Sequence, residues 1–399
     1  MLKHLSPSHL VAGFVAVLVG YTSSAAIIFQ AASAAGATAA QLGSWMWALG
    51  LGMGVTCIGL SLAYRTPVLT AWSTPGAALL VTALAGLSMG EAVGAFLFSS
   101  LLITLCGVFG LFDRIMRHVP RALAGAMLAG ILLRFGLQVF TAMAGELVLV
   151  ALMLLTYLLA RRLLPRFAVP LTLLAGLALA AAQGGIRFDA VDIALARPVF
   201  TTPAFSFPAL IGVGLPLFIV TMASQNLPGL AVLRANGYDT PASPLIGWTG
   251  ATGLLLAPFG GFAFNLAAIT AAICMSRDAD PDPARRYLAS MWAGGFYLLT
   301  GVFGATVAGL FDALPAALVV AIAGIALLGT IGNSLAGALA GEREREAALI
   351  CFLVTASGLT LFDLGSAFWG LVLGLAALHL GNTRDAAQHA PSAEAARAR

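Results

Sequence analysis

Charge is what this sequence has least of. Asp, Glu, Lys and Arg together make up 9% of its 399 residues, against 60% hydrophobic residues and a mean hydropathy of +0.98. Soluble domains have about a quarter of their residues charged, so this composition excludes a water-facing globular surface. Cysteine is scarce as well. Cys57, Cys106, Cys274 and Cys351 lie singly in apolar stretches, without metal or redox spacing, and read as packing residues. No His/Asp/Glu cluster or nucleophile–base motif falls within the apolar segments, which argues against an enzyme; no cofactor and no metal are expected. No basic stretch is interleaved with stacking aromatics, so a net charge of +4 and a pI near 9.1 do not imply nucleic acid.

What is present is a series of long apolar runs. A bilayer core takes roughly 20 apolar residues per helix, leaving room here for about 14 spans in one integral domain, 1–399. Charged or Pro/Gly-marked breaks place them near 9–35, 39–63, 67–86, 90–112, 118–140, 145–161, 167–185, 207–232, 243–256, 258–275, 285–310, 313–336, 346–360 and 363–381. The first follows Lys3 and ends in Ala32-Ser33-Ala34, the pattern of a cleaved secretory signal. It is longer than a signal's apolar region and recurs later in the chain, so it reads as a retained span.

With a cytoplasmic N-terminus, Lys3, Arg65, Arg114, Arg117, Arg121, Arg161, Arg162, Arg166, Arg234, Arg277, Arg285, Arg286, Arg343, Arg345, Arg384, Arg397 and Arg399 fall inside, and only Arg187 and Arg197 outside. This asymmetry follows the positive-inside rule: an even number of spans, both termini cytoplasmic, in a bacterial-type inner membrane. The polar tail after Gly381 reads as a frayed cytoplasmic end.

Several marks recur roughly 190 to 200 residues apart. Gly110-Leu111-Phe112-Asp113 returns as Gly309-Leu310-Phe311-Asp312, each followed by a proline, Pro120 or Pro315. Thr66-Pro67 to Thr74 returns as Ala257-Pro258 to Asn265, and Ser23 matches Ser224 when Gly36 is set on Gly237. Two units of seven spans, about 8–185 and 205–381, must enter the membrane from opposite sides. Inverted repeats organise secondary transporters, with the binding site at the midplane between them.

The third and tenth segments, from Pro67 and from Pro258, start poorly as helices: a proline entry, β-prone or glycine residues, then a small-residue run. Pro75 suits a first helical turn. Each segment reads as a short extended stretch leading into a half-helix, or alternatively as a kinked packing helix. Non-helical backbone at membrane depth needs cover from protein or a water-filled cavity, so these segments mark the site. Two half-helix N-termini aimed at one place suit a carboxylate. Facing spans carry Tyr21, Thr22, Ser23 and Ser24 in the first, and Thr221, Ser224, Gln225 and Asn226 in the eighth. Any one hydroxyl can instead bond back to its own helix. Gln225, Asn226 and Asn265 are stronger candidates, because amides satisfy themselves less readily within a helix.

Those segments, Pro258-Phe-Gly-Gly-Phe-Ala-Phe-Asn265 through Cys274 and Asp282-Pro283 to Tyr287, with Ser73-Thr74-Pro75-Gly76-Ala77-Ala78, make the chain resemble the benzoate:proton symporter (BenE-type) family over about residues 5–382. The resemblance implies an all-α integral membrane fold shared with nucleobase permeases and sulfate-type anion transporters. That fold has 14 transmembrane segments in two inverted seven-span repeats. Spans 1–4 and 8–11 would form a core domain that carries the site, and spans 5–7 and 12–14 a gate domain, through which a homodimer is plausible.

The implied partners are benzoate or a similar small aromatic carboxylate, protons and membrane lipid. The implied substrate-binding set is Tyr21, Ser23, Ser24, Ser73, Thr74, Gly76, Ser224, Gln225, Asn226, Gly261, Phe264 and Asn265. Nucleobase permeases place acidic side chains where this chain has Gln225 and Phe264. Two missing carboxylates fit an anionic aromatic ligand better than a neutral ring, since like charges repel strongly at low dielectric.

A symporter also needs a group whose protonation depends on occupancy. The interiors of spans 1, 3, 8 and 10 carry no Asp, Glu or His; the available groups Glu91, Asp113, His118, Glu146, Asp312 and Asp363 all sit near span ends. Uniport and anion exchange therefore stay open beside symport. Arg134, inside Leu132-Leu133-Arg134-Phe135, either snorkels to an interface or serves an anion pathway.

Overall fold

The computed structural model describes residues 6–112, 114, 120–187, 193–362 and 364–388. Their architecture is helical apart from one two-residue rung of sheet. Capping chemistry sets the helix starts. Helix α1 (Pro7–Ala34) begins with proline in its first turn. Helix α2 (Ala39–Tyr64) starts behind a Thr38/Gln41 capping box, and α4 (Met89–Val108) behind a Ser88/Glu91 box. In each box the hydroxyl and the longer side chain satisfy amide groups that a helix start leaves unpaired.

Strand β1 (Thr70–Ala71) leads into the short helix α3 (Thr74–Ala83). Helices α5 (Arg121–Gly145), α6 (Leu147–Leu163) and α7 (Ala168–Ala182) complete the first half. In the second half come α8 (Pro208–Ala235) and α9 (Ala242–Leu256). Strand β2 (Asn265–Leu266) then precedes the six-residue helix α10 (Ile269–Cys274). There follow α11 (Tyr287–Val302), α12 (Gly304–Asp312), α13 (Ala316–Leu339), α14 (Arg345–Ala356) and α15 (Ser366–Gln388).

Among the described residues, six helices are long and apolar enough to cross a membrane, or seven if the pair Pro283–Val302 and Gly304–Phe311, bent by 72°, counts as one. The eleventh expected span is therefore broken rather than straight.

Helix α8 departs from α geometry twice, in π-turns at Pro208–Gly214 and Met222–Asn226. Proline causes both. Pro216 and Pro228 remove the amide that would bond four residues back, and their rings press on the carbonyls of Gly212 and Ser224, so the turn ahead of each widens. Gly36 (φ 72°) and Gly237 (φ 84°), matched in the sequence repeat, both take the left-handed conformation just past the ends of α1 and α8.

The helices sort into two packed groups. In one, α2 packs on α11 and α12, α4 on α9, and α1 on α3, α10 and α11. Glycine permits close crossings among these: a Cβ on Gly50 of α2 would come 2.7 Å from the backbone nitrogen of Gly301 on α11. Small residues that let backbones touch are the usual route to helix association in lipid. In the other group α5 packs on α13 and α14, α14 on α15, and α6 on α7. Helices α1 and α3 meet the second group through α13, α7 and α5.

Candidate functional site

The two irregular segments meet. Strands β1 and β2 pair antiparallel, with Thr70 opposite Leu266 and Ala71 opposite Asn265. Extended backbone inside a membrane domain must find every partner from the protein itself. Here the Ala267 amide donates to the Leu69 carbonyl at 2.9 Å, and the Leu266 amide to the Asn226 Oδ1 at 2.9 Å. The Thr70 amide reaches the Cys57 sulfur at 3.1 Å, and the Thr70 and Thr56 hydroxyls bond at 2.6 Å.

Beyond the rung the segments differ. Helix α3 caps itself: Ser73 Oγ accepts the Gly76 amide at 3.0 Å, and Pro75 has no amide to offer. Helix α10 carries no side-chain cap and begins only at Ile269, with Asn265 in the strand before it rather than at its first turn.

A cavity of about 800 Å³ lies where α1, α3, the second π-turn of α8 and α10 face α5, α7 and α13. That volume is within the range of small-molecule sites, roughly 300–1,000 Å³. Ser23, Ser24, Thr74, Ser224 and Gln225 of the expected set line it. Tyr21, Ser73, Gly76, Asn226, Gly261, Phe264 and Asn265 do not; they stand behind it as supports.

Tyr21 donates to Thr300 Oγ1 at 2.7 Å and sets its ring edge-on to Trp72 at 4.8 Å. Asn226 braces β2, as above. Asn265 donates from Nδ2 to the Ala263 carbonyl at 2.9 Å, while its buried Oδ1 has no partner among the described residues. Buried Phe264 fills the space beside Gly52 and Gly253, and Gly261 packs on Leu256. Gly76 is closed in by Leu217 and Ser73, where a Cβ would come within 2.7 and 2.8 Å of their side chains.

The serines that α1 and α8 contribute to the cavity wall have spent their protons. Ser23 and Ser24 both donate to the Gly20 carbonyl, at 2.9 and 2.8 Å, and Ser224 to that of Val220. Ser24 also accepts Trp72 Nε1 at 2.7 Å. Such back-bonded hydroxyls offer only acceptor lone pairs to a ligand. Among the described residues, the lining donors that no protein atom engages are Thr74, Gln225, Thr270 and Tyr297 on one wall and Arg121, Thr330, Asn333 and Ser334 on the other. Sequence reading missed all but Thr74 and Gln225. The spacing of Thr330, Asn333 and Ser334 on an otherwise apolar span was the available signal.

The titratable groups near span ends take varied places. Glu91 caps α4, accepting the Ser88 amide at 2.9 Å, and Glu146 is exposed at the corner between α5 and α6. Asp113, His118 and Asp363 lie outside the described residues, as does the side chain of Asp312. Arg134 is exposed on α5 and does not line the cavity. Near the start of α1, buried His9 pairs with Asp280 at 2.8 Å, tying that helix to the loop after α10. The Asp280 carbonyl in turn accepts Arg286 Nε at 2.8 Å.

The family described as benzoate membrane transport protein matches residues 3–380. The inner membrane protein YdcO of Escherichia coli K12 is 55% identical over 93% of this chain and 95% of its own length. The benzoate membrane transport protein of Acinetobacter baylyi is 41% identical over 93% of this chain and 94% of its own. Among solved structures, SLC26A9 superposes with a TM-score of 0.62 at 12% identity, covering 96% of this chain and 67% of that one. The transmembrane domain of the cyanobacterial bicarbonate transporter BicA gives 0.60 at 13% identity, covering 92% and 97%. At such identities the likeness is one of fold.

Proposed function

The chain belongs to the benzoate membrane transport protein family, and on that premise we propose that it carries benzoate or a similar aromatic carboxylate by alternating access, with a proton. It is a multi-pass inner-membrane transport protein and not an enzyme. The charge balance of the cavity carries the reading: among the described residues its lining includes no Asp, Glu or His and one cation, and its walls are mostly apolar. An acidic wall would repel an anion strongly in a low-dielectric site, whereas neutral donors stabilise it without a counter-charge to remove on release. Gln225, Thr74 and Thr270 take the carboxylate, and Trp72, Met53 and Ile273 meet the ring.

We further read the chain as 14 segments in two inverted units, 8–185 and 205–381, with α3 and α10 as half-helices. The antiparallel β1–β2 rung and the paired turns at Gly36 and Gly237 support this reading. The two packed helix groups correspond to the core and gate domains. The cavity mouth, at Arg121 and Pro165, faces the cytoplasm, because the basic residues around α5 and α6 belong on that side.

Uptake of labelled benzoate into proteoliposomes, with and without an imposed inward proton gradient, tests this directly. Gradient-driven accumulation is expected. Absence of uptake rejects the substrate. Uptake indifferent to the gradient favours a second reading, proton-independent exchange or uniport, for which the lack of any carboxylate or histidine among the described lining residues speaks.

A further inference from the structure

The gate wall of the cavity has its own polar surface, and it does not resemble a packing surface. Among the described residues lining the cavity Arg121 is the one that is charged, and it stands exposed at the mouth. It occupies the first position of α5, a helix with no acidic residue in its first turn and no side-chain cap at Pro120. A cation there opposes the helix dipole, which favours negative charge at a helix start. No ion pair or hydrogen bond among the described residues engages its guanidinium. Across from it α13 presents Thr330, Asn333 and Ser334 on one face, also without partners among the described residues. The two helices are held close at this level: one turn along from Arg121, a Cβ on Gly125 would lie 3.1 Å from the Ser334 carbonyl oxygen.

A guanidinium set against its own helix dipole, beside an amide and hydroxyls with free protons, is a surface short of an anion. We infer that Arg121, Asn333 and Ser334 form a second carboxylate station on the gate domain, at the cavity mouth, which the substrate occupies between bulk solution and the central seat at Gln225. The inference rests on the proposed substrate class and adds to it where the anion is first captured and last released. Arg121 acts there as a planar donor to a carboxylate, raising the local anion concentration through a field that salt screens. Because the station sits on the gate wall, it holds its ligand apart from the core residues that move with the central site.

Equilibrium binding of labelled benzoate to the full chain in lipid nanodiscs, at low and high ionic strength, tests the station. Wild-type affinity should fall as salt rises. Arg121→Gln should raise Kd about tenfold at low ionic strength and abolish most of that salt dependence. Arg121→Lys should keep the salt dependence and lose only part of the affinity, since a point charge lacks the planar fork. Arg162→Gln removes an equal charge from exposed surface outside the cavity and should leave both measures at the wild-type value.

An Arg121→Gln protein that binds like wild type at both ionic strengths, while Gln225→Ala binds weakly, overturns the station and leaves the central reading standing. An equal loss in Arg162→Gln also overturns it, because a general surface charge would then explain the effect. A wild-type chain that binds no benzoate at either ionic strength overturns the central reading and the station with it.

Discussion

The third and tenth segments meet in one rung of sheet, yet they are built by opposite means. The third is self-contained: α3 runs for ten residues and is capped by its own Ser73. The tenth is held from outside. Its backbone turns left-handed at Gly260 (φ 93°) and Ala263 (φ 48°) before β2. Trp45, Phe96 and Phe262 wall that bend in, with ring centroids 5.1 to 5.7 Å apart. Ser44 on α2 donates to the Phe259 carbonyl at 2.9 Å, and Asn226 on α8 accepts the Leu266 amide. The difference teaches that two related segments can reach the same rung with unequal dependence on their neighbours. The helix start left uncapped at the cavity is the one whose position is set by other elements.

Substitutions can break this contrast, the tenth segment failing first. Gly260→Ala forces a side chain into a left-handed position against the Trp45 ring. It should destabilise the protein by on the order of 3 kcal/mol, seen as a lost folded peak in size-exclusion chromatography or a large drop in Tm; a wild-type melting curve would show that the bend is not constrained as described. Asn226→Ala leaves the Leu266 amide buried and unpaired, at a cost of about 2 kcal/mol. Its thermal unfolding should therefore shift clearly, and transport should fall with it.

Gln225→Ala, one residue away but facing the cavity, should do the reverse. Binding of benzoate weakens roughly tenfold, about 1.4 kcal/mol, while Tm stays near wild type. Unchanged affinity there would remove Gln225 from the carboxylate seat. The smallest effect belongs to the third segment: Ser73→Ala removes a helix cap worth about 1 kcal/mol. A loss as large as that of Gly260→Ala would contradict the self-contained character of α3.

Much of this molecule is legible along the chain. The apolar runs, the recurring prolines and glycines and the two poor helix starts all locate features the structure contains, because they depend on local rules: bilayer thickness, capping and the missing amide of proline. The roles of the amides were not legible. Asn226 and Gln225 are adjacent in sequence, yet a π-turn ahead of Pro228 turns one onto β2 and the other into the cavity. The same holds for Tyr21, Asn265 and Phe264, which support the site from behind, and for Thr270, Tyr297 and Asn333, which face it.

By itself the sequence determined the class of protein, a membrane-embedded helical chain with two irregular segments and no acidic group at the expected site. Only the tertiary structure decided which hydroxyl protons were already committed and which donors stayed free. It also brought the wall formed by α5 and α13, with Arg121, to the same cavity. Hydrogen-bond commitment and the proximity of helices far apart in sequence depend on how those helices pack, and no local pattern along a chain encodes that.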